Sequence, residues 1–175
     1  MYQQVLFSAQ IEPPKDKFWK DLVSGEIAKK IQEAAPSKYL GASADVYNVM
    51  KPFLADKPDV ERMCGIYLNR KNAILTIDVL STGSIAGASV YPREIIKAMI
   101  QKQAASLVLC HNHPSGDPSP SPEDVNITRQ MVYALWLIGA TLLDHVIIGT
   151  MGRVYSFGDT GKLSQYQDKA REIFI

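Results

Sequence analysis

Cysteine is nearly absent from this 175-residue chain, which has only Cys64 and Cys110. Two are too few for a disulfide framework. Each lies in an apolar run, where a free thiol packs as a small hydrophobe, so two buried, reduced cysteines are expected. Long apolar stretches are missing too. No window approaches the roughly 20 continuous apolar residues of a membrane helix. The N-terminal MYQQVLFSAQIEPPK has neither the basic start nor the apolar core of a signal peptide. A cytoplasmic protein with no membrane partner is the expectation. A charge excess is lacking as well: nineteen Lys and Arg oppose eighteen Asp and Glu, eight against eight up to residue 60 and eleven against ten beyond it. Proteins that work on nucleic acid usually carry a basic surplus, so charge gives a nucleic-acid partner no support. What is present is ordinary globular material, 46% hydrophobic and 21% charged, in a length that suits one domain.

The hydrophobic pattern changes period near residue 60. Before it, residues 3–9 read as a short strand closed by Pro13-Pro14. Lys15 to Ala35 reads as a helix with Phe18, Leu22, Val23, Ile27 and Ile31 near one face, ended by Pro36. A second helix has Ser43 as its cap and Val46, Val49, Met50 and Phe53 as its stripe. After it, residues 60–68 and 73–80 are β-prone and joined by Asn69-Arg70-Lys71-Asn72, a hairpin signature. Residues 83–89 form a loop of small side chains, and Pro92 opens a helix to about Gln103. A short strand is expected over Ser106–Cys110 and a helix over Pro122–Leu137, closed by Gly139. Strands over 141–149 and 154–157 and a terminal helix from Lys162 complete the order. The succession predicts an α/β fold, a mixed sheet between helices.

The chemistry concentrates in His111-Asn112-His113-Pro114, Ser121 and Asp124, a region holding two of only three histidines. Residues two apart on a strand share a face, so both imidazoles can reach one ion. The Gly/Pro-rich loop SGDPSPS then turns into a helix whose first turn can carry Asp124 back over the strand end. Two imidazoles and one carboxylate leave a fourth position open, the layout of a catalytic zinc site. Ser121-Pro122-Glu123-Asp124 is also a good helix start by itself, and Ser121 can serve both purposes. A metal hydrolase needs a base as well, and Glu61, Asp78, Glu94, Asp117 and Glu123 all remain eligible on spacing.

The pattern H-x-H-P, six residues, S-x-x-D resembles the metal signature of the JAB/MPN (JAMM) metalloprotease superfamily. HNHPSGDPSPSPED, with VYPREI upstream and LLDHVIIG downstream, is similar to its RadC branch from about Tyr39 to Gly161. The resemblance implies a single MPN/JAB domain of cytidine-deaminase-like fold over residues 39–161, preceded by an extension (1–38) and followed by a helical tail (162–175). It implies Zn2+ held by His111, His113 and Asp124, Glu61 as general acid/base and Ser121 as stabiliser of the tetrahedral intermediate. The activity implied is zinc-dependent hydrolysis of a peptide or isopeptide bond in a protein or peptide substrate. Full-length RadC proteins carry a helix-hairpin-helix region ahead of this domain. Residues 1–45 lack its glycine-bearing hairpin, which weakens the transfer of DNA binding; a RadC-type role in DNA repair or DNA processing, as a metal-dependent nuclease or DNA-associated factor, is one alternative. A non-catalytic, zinc-stabilised interaction module is the other alternative.

Plainer readings hold elsewhere. Asp144 and His145 alternate onto opposite sheet faces, and a lone strand histidine is expected to be structural. Arg93 and Glu94 form a surface pair or flank the cleft, Asp117 caps a turn, and Asn112 faces away from its histidine neighbours. Trp19 and Trp136 are packing residues.

Overall fold

The change of period near residue 60 is the change from a helix to the sheet it covers. In a computed structural model, residues 39–54, 59–83 and 90–174 are described, all within one compact unit, Ala35–Ile175. The strand expected over 3–9, the helix over 15–35 with Trp19, and most of the 83–89 loop lie outside the described residues. Helix α1 (Ser43–Leu54) buries Val46, Val49, Met50 and Phe53, the expected stripe. Its start differs from expectation. Ser43 Oγ donates to Asp159 at 2.6 Å, while the Asp45 carboxylate takes the N–H groups of Gly41 and Ala42 at 2.9 and 3.0 Å. A charged acceptor makes the stronger bonds to those amides.

Strands β1 (Arg62–Leu68) and β2 (Ile74–Thr82) form the expected antiparallel hairpin. Asn69 Oδ1 accepts from the N–H of Lys71 and Ala73, and Asn72 adopts the left-handed conformation (φ 57°) that asparagine tolerates. Helix α2 spans Pro92–Gln101 and strand β3 Ser106–Asn112. The strand runs two residues beyond the expected end. Its last residues still find partners on both sides, His111 opposite Met63 of β1 and Asn112 beside Ile148. Helix α3 (Pro122–Leu137) follows the expected bounds, and strands β4 (Thr141–Ile148) and β5 (Val154–Ser156) and helix α4 (Lys162–Phe174) complete the order.

The sheet runs β2-β1-β3-β4-β5. Only β3 and β4 are parallel, joined by α3 as a crossover. One face carries Met63, Tyr67, Leu107 and Leu109 into a core with Ile95 and Met99 of α2, Met131 and Leu135 of α3, and Leu163 of α4. Helix α1 packs on β3 and β4 from the other face. This is the expected mixed sheet sandwiched by helices. Cys64 and Cys110 are buried opposite one another on β1 and β3, and burial pushes the Cys64 thiol up to about 12. No helix among the described residues is long and apolar enough to cross a membrane.

One irregularity directs the functional face. Leu107 pairs with Leu142, but Val108 pairs with Asp144, so Leu143 is an extra residue in β4, a bulge that shifts the alternation. Leu142 and Ile147, five residues apart, consequently enter the same core, which a regular strand of period two does not allow. The shift turns His145 toward α3 and leaves Asp144 to bond Ser156 Oγ and Gly158 N at 2.6 and 2.8 Å.

Candidate metal centre

The end of β3 and the start of α3 supply the central groups. His111 is fully buried on β3, and His113 stands one residue past it with 15% of its side chain exposed. Their Nε2 atoms are 2.9 Å apart. The chain beyond His113 is tied to the β4–β5 connection. His113 N donates to Ile148 O, and Gly116 O accepts from Thr150 N and from Arg153 Nη2. Glycine is needed where these segments touch: Gly116 has φ +81°, and a Cβ on Gly149 would overlap the Gly116 carbonyl oxygen. Asp117 makes the expected turn, accepting at Oδ1 from Ser119 N. That bond lowers its carboxyl below the ordinary value.

A capping box then orients Asp124. Ser121 Oγ accepts from Asp124 N at 3.1 Å, while Ser121 N and Oγ–H both donate to Asp124 Oδ2, at 2.8 and 2.7 Å. This arrangement occupies Oδ2 and leaves Oδ1 buried with no hydrogen bond among the described residues. Oδ1 lies 3.1 Å from His111 Nε2, and Oδ2 lies 3.4 Å from His113 Nε2. Burial alone would raise the carboxyl of Asp124, but the surrounding imidazoles and the Ser121 hydroxyl outweigh it and hold the group well below the usual carboxylate range. The same carboxylate raises His113, against partial burial and with help from the carbonyl of Asp117.

This donor set fits a divalent ion. His113 Nδ1 sits 2.8 Å from Asp117 O, and a carbonyl can only accept, so in the neutral ring Nδ1 carries the hydrogen and Nε2 the lone pair. The lone pair points at His111 Nε2 and the Asp124 carboxylate, an array that calls for a cation at its centre. Ligands about 2.0–2.2 Å from a tetrahedral ion lie roughly 3.3–3.6 Å from one another, and the three separations seen here, 2.9, 3.1 and 3.4 Å, come close to that.

Glu61 completes the cluster from the start of β1. A carboxylate oxygen of Glu61 and ring nitrogens of His111 and His113 all lie within 4.8 Å of one another. The backbone around Glu61 is clamped. Asn112 Oδ1 accepts from Arg62 N, Asn112 Nδ2 donates to Val60 O, both at 3.0 Å, and Gly83 N donates to Glu61 O at 2.8 Å. Asn112 thus faces away from the histidines, as alternation predicts, and holds the residues on either side of Glu61. Two of the other eligible carboxylates are engaged elsewhere: Asp78 with Lys102 at 3.1 Å, and Glu94 with Arg93 at 3.2 Å on the surface.

Two residues stand beside the site that the sequence did not tie to it. His145 Nε2 lies 3.0 Å from His111 Nδ1, and Thr128 Oγ1 lies 2.6 Å from His145 Nδ1; both residues are fully buried. His145 also stacks on Phe157, with centroids 5.2 Å apart, and burial pushes its pKa well below the ordinary value. The strand histidine is hydrogen-bonded, as expected, but to a member of the cluster. Beside His113 opens a cavity of about 430 Å³ lined by Tyr47, Lys51, Leu54, Pro114 and Met151.

Comparison with known proteins identifies the family. The family model for a RadC-like JAB domain matches residues 40–163, which include Glu61 and the whole His111–Asp124 segment. Among curated relatives, a "UPF0758 protein" of Methanosarcina mazei is 39% identical over 138 residues, covering 78% of this chain and 59% of the relative. Another, of Caldanaerobacter subterraneus, is 49% identical over 96 residues, 55% of this chain and 41% of the relative. The chain therefore spans less than two thirds of the length of these relatives. With the match running from the end of the N-terminal region through β5 and into α4, the chain belongs to the RadC-like JAB domain family.

Proposed function

We propose that this protein is a zinc-dependent hydrolase that cleaves a peptide or isopeptide bond, with His111, His113 and Asp124 holding the metal and Glu61 acting as general acid/base. The convergence of Glu61 with His111 and His113 inside 4.8 Å carries the reading. A structural metal site needs no extra carboxylate beside its ligands, whereas hydrolysis requires a group that can move a proton. A bound zinc ion would act as a Lewis acid, lowering the pKa of water and polarising a scissile carbonyl. Glu61 then takes the proton of the attacking water and passes it to the departing amine. Ser121 turns its hydroxyl hydrogen from Asp124 Oδ2 to the developing oxyanion, a contribution made only as charge appears. The Ser121 backbone N–H keeps its bond to Oδ2 meanwhile, so the carboxylate holds its orientation. The cavity beside His113, lined by Tyr47, Lys51 and Leu54, would take a side chain next to the scissile bond of a protein or peptide substrate.

Elemental analysis of the purified chain beside His113→Ala, combined with cleavage of an untargeted peptide library, tests the reading. About one zinc per wild-type chain is expected, lost in the variant. Glu61→Gln should keep the metal and lose about 10²–10⁴-fold in turnover. Undiminished turnover in that variant would remove Glu61 from its role.

A further inference from the structure

His145 and Thr128 join the site in a way that proton counting resolves. Thr128 has one hydroxyl hydrogen. Its Oγ1 lies 2.5 Å from the backbone carbonyl of Asp124, which can only accept, so the hydrogen goes there. Oγ1 must then act as acceptor toward His145, and Nδ1 of His145, 2.6 Å away, carries a hydrogen. A neutral ring with Nδ1–H has its lone pair on Nε2. That lone pair faces His111 Nδ1 at 3.0 Å, so His111 in turn donates from Nδ1 and exposes its own lone pair on Nε2, the atom directed at His113 and Asp124. His145 has no solvent-exposed surface and stacks nearly parallel on Phe157, with an angle of 8° between the rings. Its ring is therefore held in one plane.

From this geometry we infer that His145 and Thr128 are positioning residues that lock His111 in the tautomer able to bind a metal through Nε2. The relay begins at the carbonyl of Asp124 and ends at the ring of His111, so backbone and carboxylate of one aspartate serve both sides of the centre. A metal-bound histidine commonly donates its other nitrogen to a carbonyl or carboxylate, as His113 does to Asp117. His111 donates instead to a second imidazole, which could present either nitrogen in either protonation state. Thr128 removes that ambiguity. The inference rests on the proposed metal reading, and its test separates the two.

With only three histidines in the chain, their imidazole nitrogens can be resolved by long-range ¹H–¹⁵N correlation spectra of the full-length protein. In the metal-free protein at pH 8, His145 and His111 are both expected as Nδ1–H tautomers. His145 found as the Nε2–H tautomer would overturn the relay. Zinc affinity, measured by chelator competition, should weaken about 10–100-fold in His145→Leu. His145→Gln, whose amide oxygen can accept from His111 Nδ1, should recover most of that loss. Thr128→Val keeps shape but removes the hydroxyl, so it should allow both His145 tautomers to populate and weaken zinc binding. Unchanged zinc affinity in folded His145→Leu and Thr128→Val would also overturn the inference. If the wild-type chain takes up no zinc, the hydrolase reading fails on its own, while the metal-free spectra still decide the relay.

Discussion

His111 and Asp124 expose none of their side-chain surface, and their positions are set several times over, by a strand paired on both sides, by a capping box and by the His145–Thr128 relay. Glu61 is half-buried, precedes the first residue of β1, and owes its place to hydrogen bonds on neighbouring backbone from Asn112 and Gly83. One half of the site is built like a core and the other like the rim of a cleft. Metal ligands must converge within tenths of an ångström before the ion arrives. A proton carrier must instead reach two different atoms in turn and needs some freedom. On the proposed reading, the difference predicts that zinc affinity and turnover separate, each governed by its own side chains.

The sharpest way to break that separation is at Asp124. Asp124→Asn keeps the shape of the side chain but removes the charge, so zinc uptake and hydrolysis should vanish together; elemental analysis with a turnover assay checks this. Retained zinc would mean that the carboxylate is not a ligand. The next effect belongs to the rim. Asn112→Ala leaves the ligands in place but frees the backbone beside Glu61, and a misplacement near 1 Å costs about 10²-fold in rate. Turnover should fall by about that factor with zinc affinity unchanged. A matching loss of affinity would show that the two halves are not independent.

The smallest effect is a pH dependence. Asp124 raises His113 above its ordinary 6.5 in the folded, metal-free chain. The folded state then keeps a proton that the unfolded chain has released, so this contribution is complete below about pH 6.5 and is lost as pH rises through the higher folded value. Metal-free protein should melt lower at pH 8.5 than at pH 6.5, at roughly 2–4 °C per kcal/mol lost for a chain of this length. Zinc needs the deprotonated ligands, so the melting increment it provides should be larger at the higher pH. Calorimetry at both values, with and without zinc, reads the pair of trends; a zinc increment that shrinks with pH would contradict them.

Much of the metal half was legible because it rests on local rules. The spacing of His111 and His113 follows from strand alternation, and Ser121 and Asp124 follow from helix capping, so helix α3 and the convergence of His111, His113 and Asp124 could be read from one continuous stretch. Glu61 was different. It is 50 residues from His111 and reaches it through the pairing of β1 with β3, so spacing alone left five carboxylates open and only the family resemblance chose among them. The outward face of Asn112 was legible, but its partners flanking Glu61 were not, since they depend on that same pairing. The contacts of His145 with Thr128 and His111 were not legible, because they require the β3–β4 register and a bulge that no turn residue announces. Ser43 was misread as a cap for a similar reason: Asp159, its partner, is 116 residues away.

The bulge at Leu143 acts as a frame marker for everything downstream in β4. Deleting that one residue would restore simple alternation and keep His145 beside Leu109, facing His111, whereas straightening the strand with Leu143 in place would bring Asp144 to the face that His145 now occupies. The bulge thus absorbs one residue: a single deletion at Leu143 leaves the chemistry behind the cluster in place, while loss of the bulge at constant length rewrites it with every proposed ligand untouched.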